Sequence, residues 1–267
     1  MINLLKFFKK NPIVPIVRLD GVIGSSGLFG SSGIDDANLR QVLEKAFNVS
    51  KAVSVALIIN SPGGSPTQSS LIASRIKNLS KEKNIPVIAF CEDVAASGGY
   101  WLACCADEIY ADENSIIGSI GVISAGFGFN EFISRQGIER RVYTAGKSKS
   151  TLDPFLPSKT EDIKRIKKIQ EAIHENFKNQ VLTNRNGKIK NTDVFNGEFW
   201  NASKALELGL IDSIGHLEPT LKEKFGENVN IKFFSKKKSF FSRFTKSSID
   251  IVYHKIVNKI FLSHFGL

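Results

Sequence analysis

An α/β fold with a mainly parallel sheet flanked by helices is what this sequence predicts. Two runs carry that prediction. VSVALIIN (53–60) and PVIAFCEDV (86–94) are almost continuously apolar and rich in β-branched residues, the pattern of strands buried on both faces. Each runs into a glycine-bearing turn and then a helical pattern, and strands separated by helices pair in parallel. Composition is the third observation. The 267 residues are 42% hydrophobic and 23% charged, ordinary for a globular chain with a sizeable core. That excludes wholesale disorder, a collagen-like fibre and a polytopic membrane protein.

Taken in order, IVPIVRLDGVIG (13–24) reads as a strand entering a Gly/Ser loop. DDANLRQVLEKAF (35–47) reads as a helix, with Leu39, Val42, Leu43 and Ala46 on one face. The strand 53–60 leads through SPGGSP to a helix over 67–82, and the strand 86–94 leads to a short helix from Ser97. DEIYAD (107–112) and GVISAGF (121–127) read as strands, then a helix over 129–136 and a strand RRVYTA (140–145). A polar loop, GKSKSTLDP, precedes a long charged helix over 158–184. Short helices at 201–209 and 217–225 and a strand VNIKFF complete the body. The span 13–235 reads as one domain, between a basic amphipathic N-terminus (1–12) and a basic amphipathic tail (236–267).

The formal charge of +10 sits at those ends: residues 1–10 carry +3, residues 236–267 carry +6 and the body only +1. An enzyme of nucleic acid would carry its basic residues on the folded body, so no nucleic-acid partner is expected. No stretch approaches the roughly 20 apolar residues of a spanning helix. The opening MINLLKFFKKNP lacks the apolar core and cleavage site of a signal peptide. A cytoplasmic location is therefore expected. In the tail, Ile249, Val252, Tyr253, Ile256, Val257 and Ile260 form one helical stripe behind Phe240, Phe241 and Phe244 among basic residues. Such a helix can lie in an anionic membrane interface, peripherally on its inner face. It can equally pack on the body or on a sister subunit. The three cysteines (Cys91, Cys104, Cys105) make no disulfide framework and read as small buried hydrophobes. The four histidines are scattered, and nothing suggests a metal site.

Chemistry is expected beyond the carboxyl ends of the buried strands. Asn60-Ser61-Pro62-Gly63-Gly64 opens a helix, and its backbone N–H groups could hold a developing oxyanion. By itself it is also an ordinary turn. Ala95-Ala96-Ser97-Gly98-Gly99-Tyr100 puts a serine among small residues at a strand-to-helix junction. Ser97 is either an exposed nucleophile or an N-cap. A serine nucleophile needs a base, and no histidine falls between Ser97 and His174. A lysine with a lowered pKa is the other choice. Lys147 and Lys149 stand in the loop after RRVYTA, where each could also be a plain surface charge.

Together, NSPGG, AASGGYW, GSIGV (118–122), TAGKSK and GEFWNASKALELGLIDSIG (197–215) resemble the S49 peptidase family, that of signal peptide peptidase A. The resemblance covers about residues 13–217. It implies the Clp protease/crotonase-like fold and a serine endopeptidase with a Ser/Lys dyad. It makes Ser97 the nucleophile, Lys149 the general base and Ser119 a serine that positions the lysine. It gives Gly64 and the Gly98 N–H, beside Gly63, to the oxyanion and substrate-binding loop. It also implies peptide substrates such as signal-peptide remnants, ring-like homo-oligomers and no metal or cofactor. Two features depart from the family pattern: Phe199-Trp200-Asn201-Ala202 replaces a Trp-Thr-Gly sequence, and no N-terminal membrane helix is apparent. A crotonase-type acyl-CoA enzyme, with Glu92 or Asp93 as acid/base, is the alternative enzyme. A membrane-surface scaffold with an inactive site is the non-enzymatic one.

Overall fold

A computed structural model describes residues 11–24, 34–146 and 148–235, and residues 256, 259, 260, 262, 263 and 265 of the tail. Residues 1–10 of the expected basic N-terminus, Lys147 and the stretch 236–255 lie outside the described residues. Within the described residues the chain packs as two compact units: one from the segments up to Ile120 and from Lys178 onward, the other from Gly121–Phe177.

The first unit is built on one sheet. Its strands are β1 (Ile13–Asp20), β2 (Val55–Ser61), β3 (Val87–Ala96), β4 (Glu108–Ala111), β5 (Ile116–Gly118), β6 (Phe199–Asn201), β7 (Ser213–Ile214) and β8 (Asn230–Phe234). The order is β6-β5-β3-β2-β1-β8, with β4 also pairing β3 and β7. Every ladder among them is parallel except β5–β6. Its helices are α1 (Asp36–Phe47), α2 (Pro66–Lys83), α3 (Gly98–Ala103), α6 (Ala202–Leu208) and α7 (Leu217–Phe225). The second unit holds α4 (Asn130–Arg135), and α5 (Thr160–Asn184) runs from the second unit into the first.

Both central strands are buried nearly throughout, as their composition requires. One face of the sheet presents Val14, Ile16, Ala56, Ile58, Ile88 and Phe90, covered by Leu221 of α7. The alternate residues Val17, Leu19, Leu57, Ile59 and Ala89 are equally buried. Helix starts follow capping chemistry. Asp35 caps α1 through Asn38 N–H, Ser65 caps α2 through Gln68 N–H, and Asn201 caps α6 through Lys204 N–H.

The largest fully buried side chain is that of Arg185, just beyond α5. Its Nε and Nη2 donate to Gly209 O at 3.0 and 2.8 Å, and its Nη1 to Asp212 at 2.6 Å. Burial pushes the Asp212 carboxyl up, but Arg185 and Lys188 outweigh it and hold it below the usual value. This network ties the end of α5 to the turn after α6.

Two expected strands do not form. Residues 121–127 and 140–145 pair with nothing as strands, and Ile123, Phe127 and Tyr143 are more than 80% exposed. Alternating apolar residues suit a strand, but a strand needs a ladder partner. The edge position beyond β5 is taken by β6, the antiparallel strand that periodicity did not reveal. Among the described residues no helix is long and apolar enough to cross a membrane.

Candidate active site

The glycine loops meet at the carboxyl ends of β2 and β3. Register slips there: Ile59 pairs Cys91, but Ser61 pairs Ala95. Asn60 spans the bulge, accepting Val94 N–H at 3.2 Å and donating from Nδ2 to Asp93 at 2.9 Å. Ser61, fully buried, donates from Oγ to Gly21 O at 2.7 Å and accepts Gly63 N–H at 3.2 Å. One hydroxyl thus ties the end of β1 to the NSPGG turn.

Ser97 follows β3 with φ +52° and ψ −121°. A non-glycine residue held there costs about 1–3 kcal/mol, and such strain gathers at functional sites. Two backbone bonds hold it: Ser97 N–H donates to Gly118 O at 2.8 Å, and Trp101 N–H donates to Ser97 O at 3.0 Å. Its side chain makes no cap hydrogen bond. Ser97 occupies the N-cap position of α3 without capping it through its side chain, so the half-buried hydroxyl is not committed to the helix.

Close packing explains the glycines. A Cβ on Gly63 (φ +101°) would lie 2.7 Å from Gly98 N and 2.8 Å from Ser97 Cβ. It would cover the very amide that begins α3. A Cβ on Gly64 (φ +143°) would lie 2.1 Å from Ile23 O, and one on Gly98 2.5 Å from Ser69 Oγ. Only glycine fits at these contacts. Gly63 N–H is taken by Ser61, whereas no hydrogen bond from the Gly64 or Gly98 N–H is found among the described residues.

Ser119 stands next to Gly118, the acceptor for Ser97, and itself has φ +52°. Its N–H donates to Glu198 O at 2.7 Å, and the Trp200 ring would lie 2.9 Å from a Cβ on Gly118. Ser97, Ser119, Gly63, Gly64 and Gly98 thus belong to one local arrangement in the first unit. Asn60, Ser61, Glu198 and Trp200, which shape it, stand inside motifs the sequence shows, but no individual role for them is readable there. The buried-polar pattern inside NSPGG was the available signal for the first two.

Lys149 belongs to the second unit, on an exposed turn where its N–H donates to Gly146 O at 3.2 Å. That loop is tied within its own unit. Arg140 pairs Asp153 at 2.8 Å, and Arg165 donates to Thr151 Oγ1 at 3.0 Å.

The carboxylates needed by an acyl-CoA mechanism are engaged elsewhere. Glu92 takes a two-pronged pair from Arg18 at 2.9 and 2.5 Å, and Asp93 accepts from Asn60. Burial pushes the Cys91 and Cys104 thiols up to about 12, so neither is a nucleophile near neutral pH. Among the described residues no cluster of three metal-ligating side chains occurs.

A model of peptidase family S49 matches residues 79–231, which include Ser97, Ser119 and Lys149. A Brucella abortus protein named Na(+)/H(+) antiporter NhaA is 47% identical over 231 residues, 86% of this chain and 31% of that protein. The chloroplastic serine protease SPPA of Arabidopsis thaliana is 35% identical over 182 residues, 66% of this chain and 27% of that one. The chain therefore spans less than a third of either relative. Among solved structures, a mutant of the 1510-N membrane-bound stomatin-specific protease with a substrate peptide superposes at a TM-score of 0.54. It is 17% identical, and the match covers 92% of this chain and 98% of that one. At that identity the likeness speaks for the fold alone, which is of the Clp protease/crotonase-like class. With the family model matching more than half its length, the chain belongs to peptidase family S49.

Proposed function

We propose that this chain is a serine endopeptidase that hydrolyses peptide bonds with a Ser97/Lys149 dyad. The observation that carries the reading is Ser97 itself: a strained serine with an uncommitted hydroxyl, packed against a glycine turn. Lys149 takes the Ser97 proton as Oγ attacks the carbonyl carbon. The Gly64 and Gly98 N–H groups stabilise the tetrahedral oxyanion, about 3 kcal/mol for one donor. The protonated lysine then gives its proton to the leaving amine. Water, deprotonated by the same lysine, attacks the acyl-enzyme and releases the acid and free Ser97. Ser119 helps position the lysine. No step calls for a metal or cofactor. The engaged state of Glu92 and Asp93 weighs against the acyl-CoA reading. The antiporter name of the Brucella protein is not carried over, because the chain matches under a third of it.

Hydrophobic peptides, signal-peptide remnants among them, are the substrates we infer. Fluorogenic hydrophobic peptides should be cut, with new termini identified by mass spectrometry. A silent enzyme, with and without liposomes, would sink the reading.

Self-association into a ring is supported by the second unit's surface. No residue of α4 is buried, and Phe127, Phe132, Ile138 and Tyr143 are exposed. Peripheral membrane contact is supported by the basic ends and by exposed Ile256 and Ile260. The full chain should co-sediment with anionic vesicles while a 1–235 truncation stays in the supernatant. Equal pelleting of both would defeat the role of the tail.

A further inference from the structure

Phe265 reaches the strand that adjoins the Ser97 site. Residues 256, 259, 260, 262 and 263 are helical, and the chain then turns, with Phe265 N–H donating to Leu262 O at 2.8 Å. The Phe265 ring stands edge-on to Phe199, with centroids 5.0 Å apart and planes at 70°. That is a favoured aromatic geometry. Phe199 begins β6 and pairs with Gly118.

β6 is a weak element with an important neighbour. It is three residues long, and among the described residues it sits at the sheet edge and forms its one ladder with the three-residue β5. So short a ladder has little stability of its own. Yet it adjoins two of the backbone bonds that shape the site. Ser119 N–H bonds to Glu198 O, immediately before Phe199, and Ser97 N–H bonds to Gly118 O, opposite Phe199. Strain at Ser97 persists only if its surroundings enforce it.

We propose that Phe265 braces the candidate active site: through Phe199 it holds β6, and β6 holds the Gly118–Ser119 backbone that keeps Ser97 in its strained conformation. Phe265 is thus a positioning residue, contributed by a segment that lies beyond the family-matched region. Only the kinetic part of this proposal rests on the peptidase reading.

The test compares full-length wild type, Phe265→Ala and Phe265→Tyr by hydrogen exchange and by peptide hydrolysis. In Phe265→Ala the Ser97 and Ser119 amides should exchange about tenfold faster, while the Leu57 and Ile59 amides of β2 keep their protection. kcat should fall several-fold with KM unchanged, and Phe265→Tyr should restore both readouts. Unchanged exchange at Ser97 and Ser119 would overturn the brace. So would equal loosening of β2, which marks a general stability contact, or faster exchange with undiminished kcat in an active enzyme. If wild type cuts no peptide yet the local exchange responds, the brace stands and the peptidase reading falls.

Discussion

Ser97→Ala is expected to abolish peptide hydrolysis, with kcat falling by about 10⁴–10⁶, the range found when a covalent nucleophile is removed. Alanine leaves the backbone demand at φ +52° in place, so the melting temperature should hardly move. Lys149→Ala should cost as much as Ser97→Ala, because neither member of a dyad works without the other. For the same reason the double variant should be no worse than either single one. Lys147→Ala should retain activity. If Lys147→Ala is the silent variant and Lys149→Ala the active one, the family chemistry stands and the base has been misassigned. If both lysine variants keep full activity while Ser97→Ala is dead, the dyad itself is wrong.

Gly63→Ala is expected to be the next most damaging, by a different route. Its methyl group would arrive 2.7 Å from Gly98 N and 2.8 Å from Ser97 Cβ. Both contacts are with atoms that cannot swing aside. The methyl group would cover one proposed oxyanion donor, and losing such a donor costs about 10²–10³ in kcat. Alanine at φ +101° also adds about 1–3 kcal/mol of strain. Gly226→Ala separates the two effects. Gly226 has φ +94°, but a Cβ there would meet nothing within 4 Å. It should lose stability and keep its activity. Paired kcat and melting measurements check both variants, and a Gly63→Ala enzyme with normal kcat would remove the glycine turn from the mechanism.

Much of this arrangement is legible in the sequence. β2 and β3 announce themselves because a strand buried on both faces has little room for polar residues. Ser97 and the NSPGG turn stand out because glycine, serine and proline cluster where two such strands end. Other parts left no trace in local pattern. Strand β6 is three residues of Phe-Trp-Asn, too short for alternation to register. The apparent strands at 121–127 and 140–145 have the side chains of strands but no ladder to join.

The sequence by itself determined the fold class, the order of the core elements and the residue types at the site. Those follow from burial and backbone conformation, which act over a few neighbouring residues. Only the tertiary structure decided that Ser97 is strained and that its hydroxyl caps nothing, since its conformation depends on Gly118, brought alongside by β5 pairing β3. It likewise decided that Ser61 is tied to Gly21, and that Phe265 meets Phe199. Such contacts join residues far apart in the chain, and a hydrogen bond or a ring contact between them depends on distances of a few ångströms that no local pattern encodes.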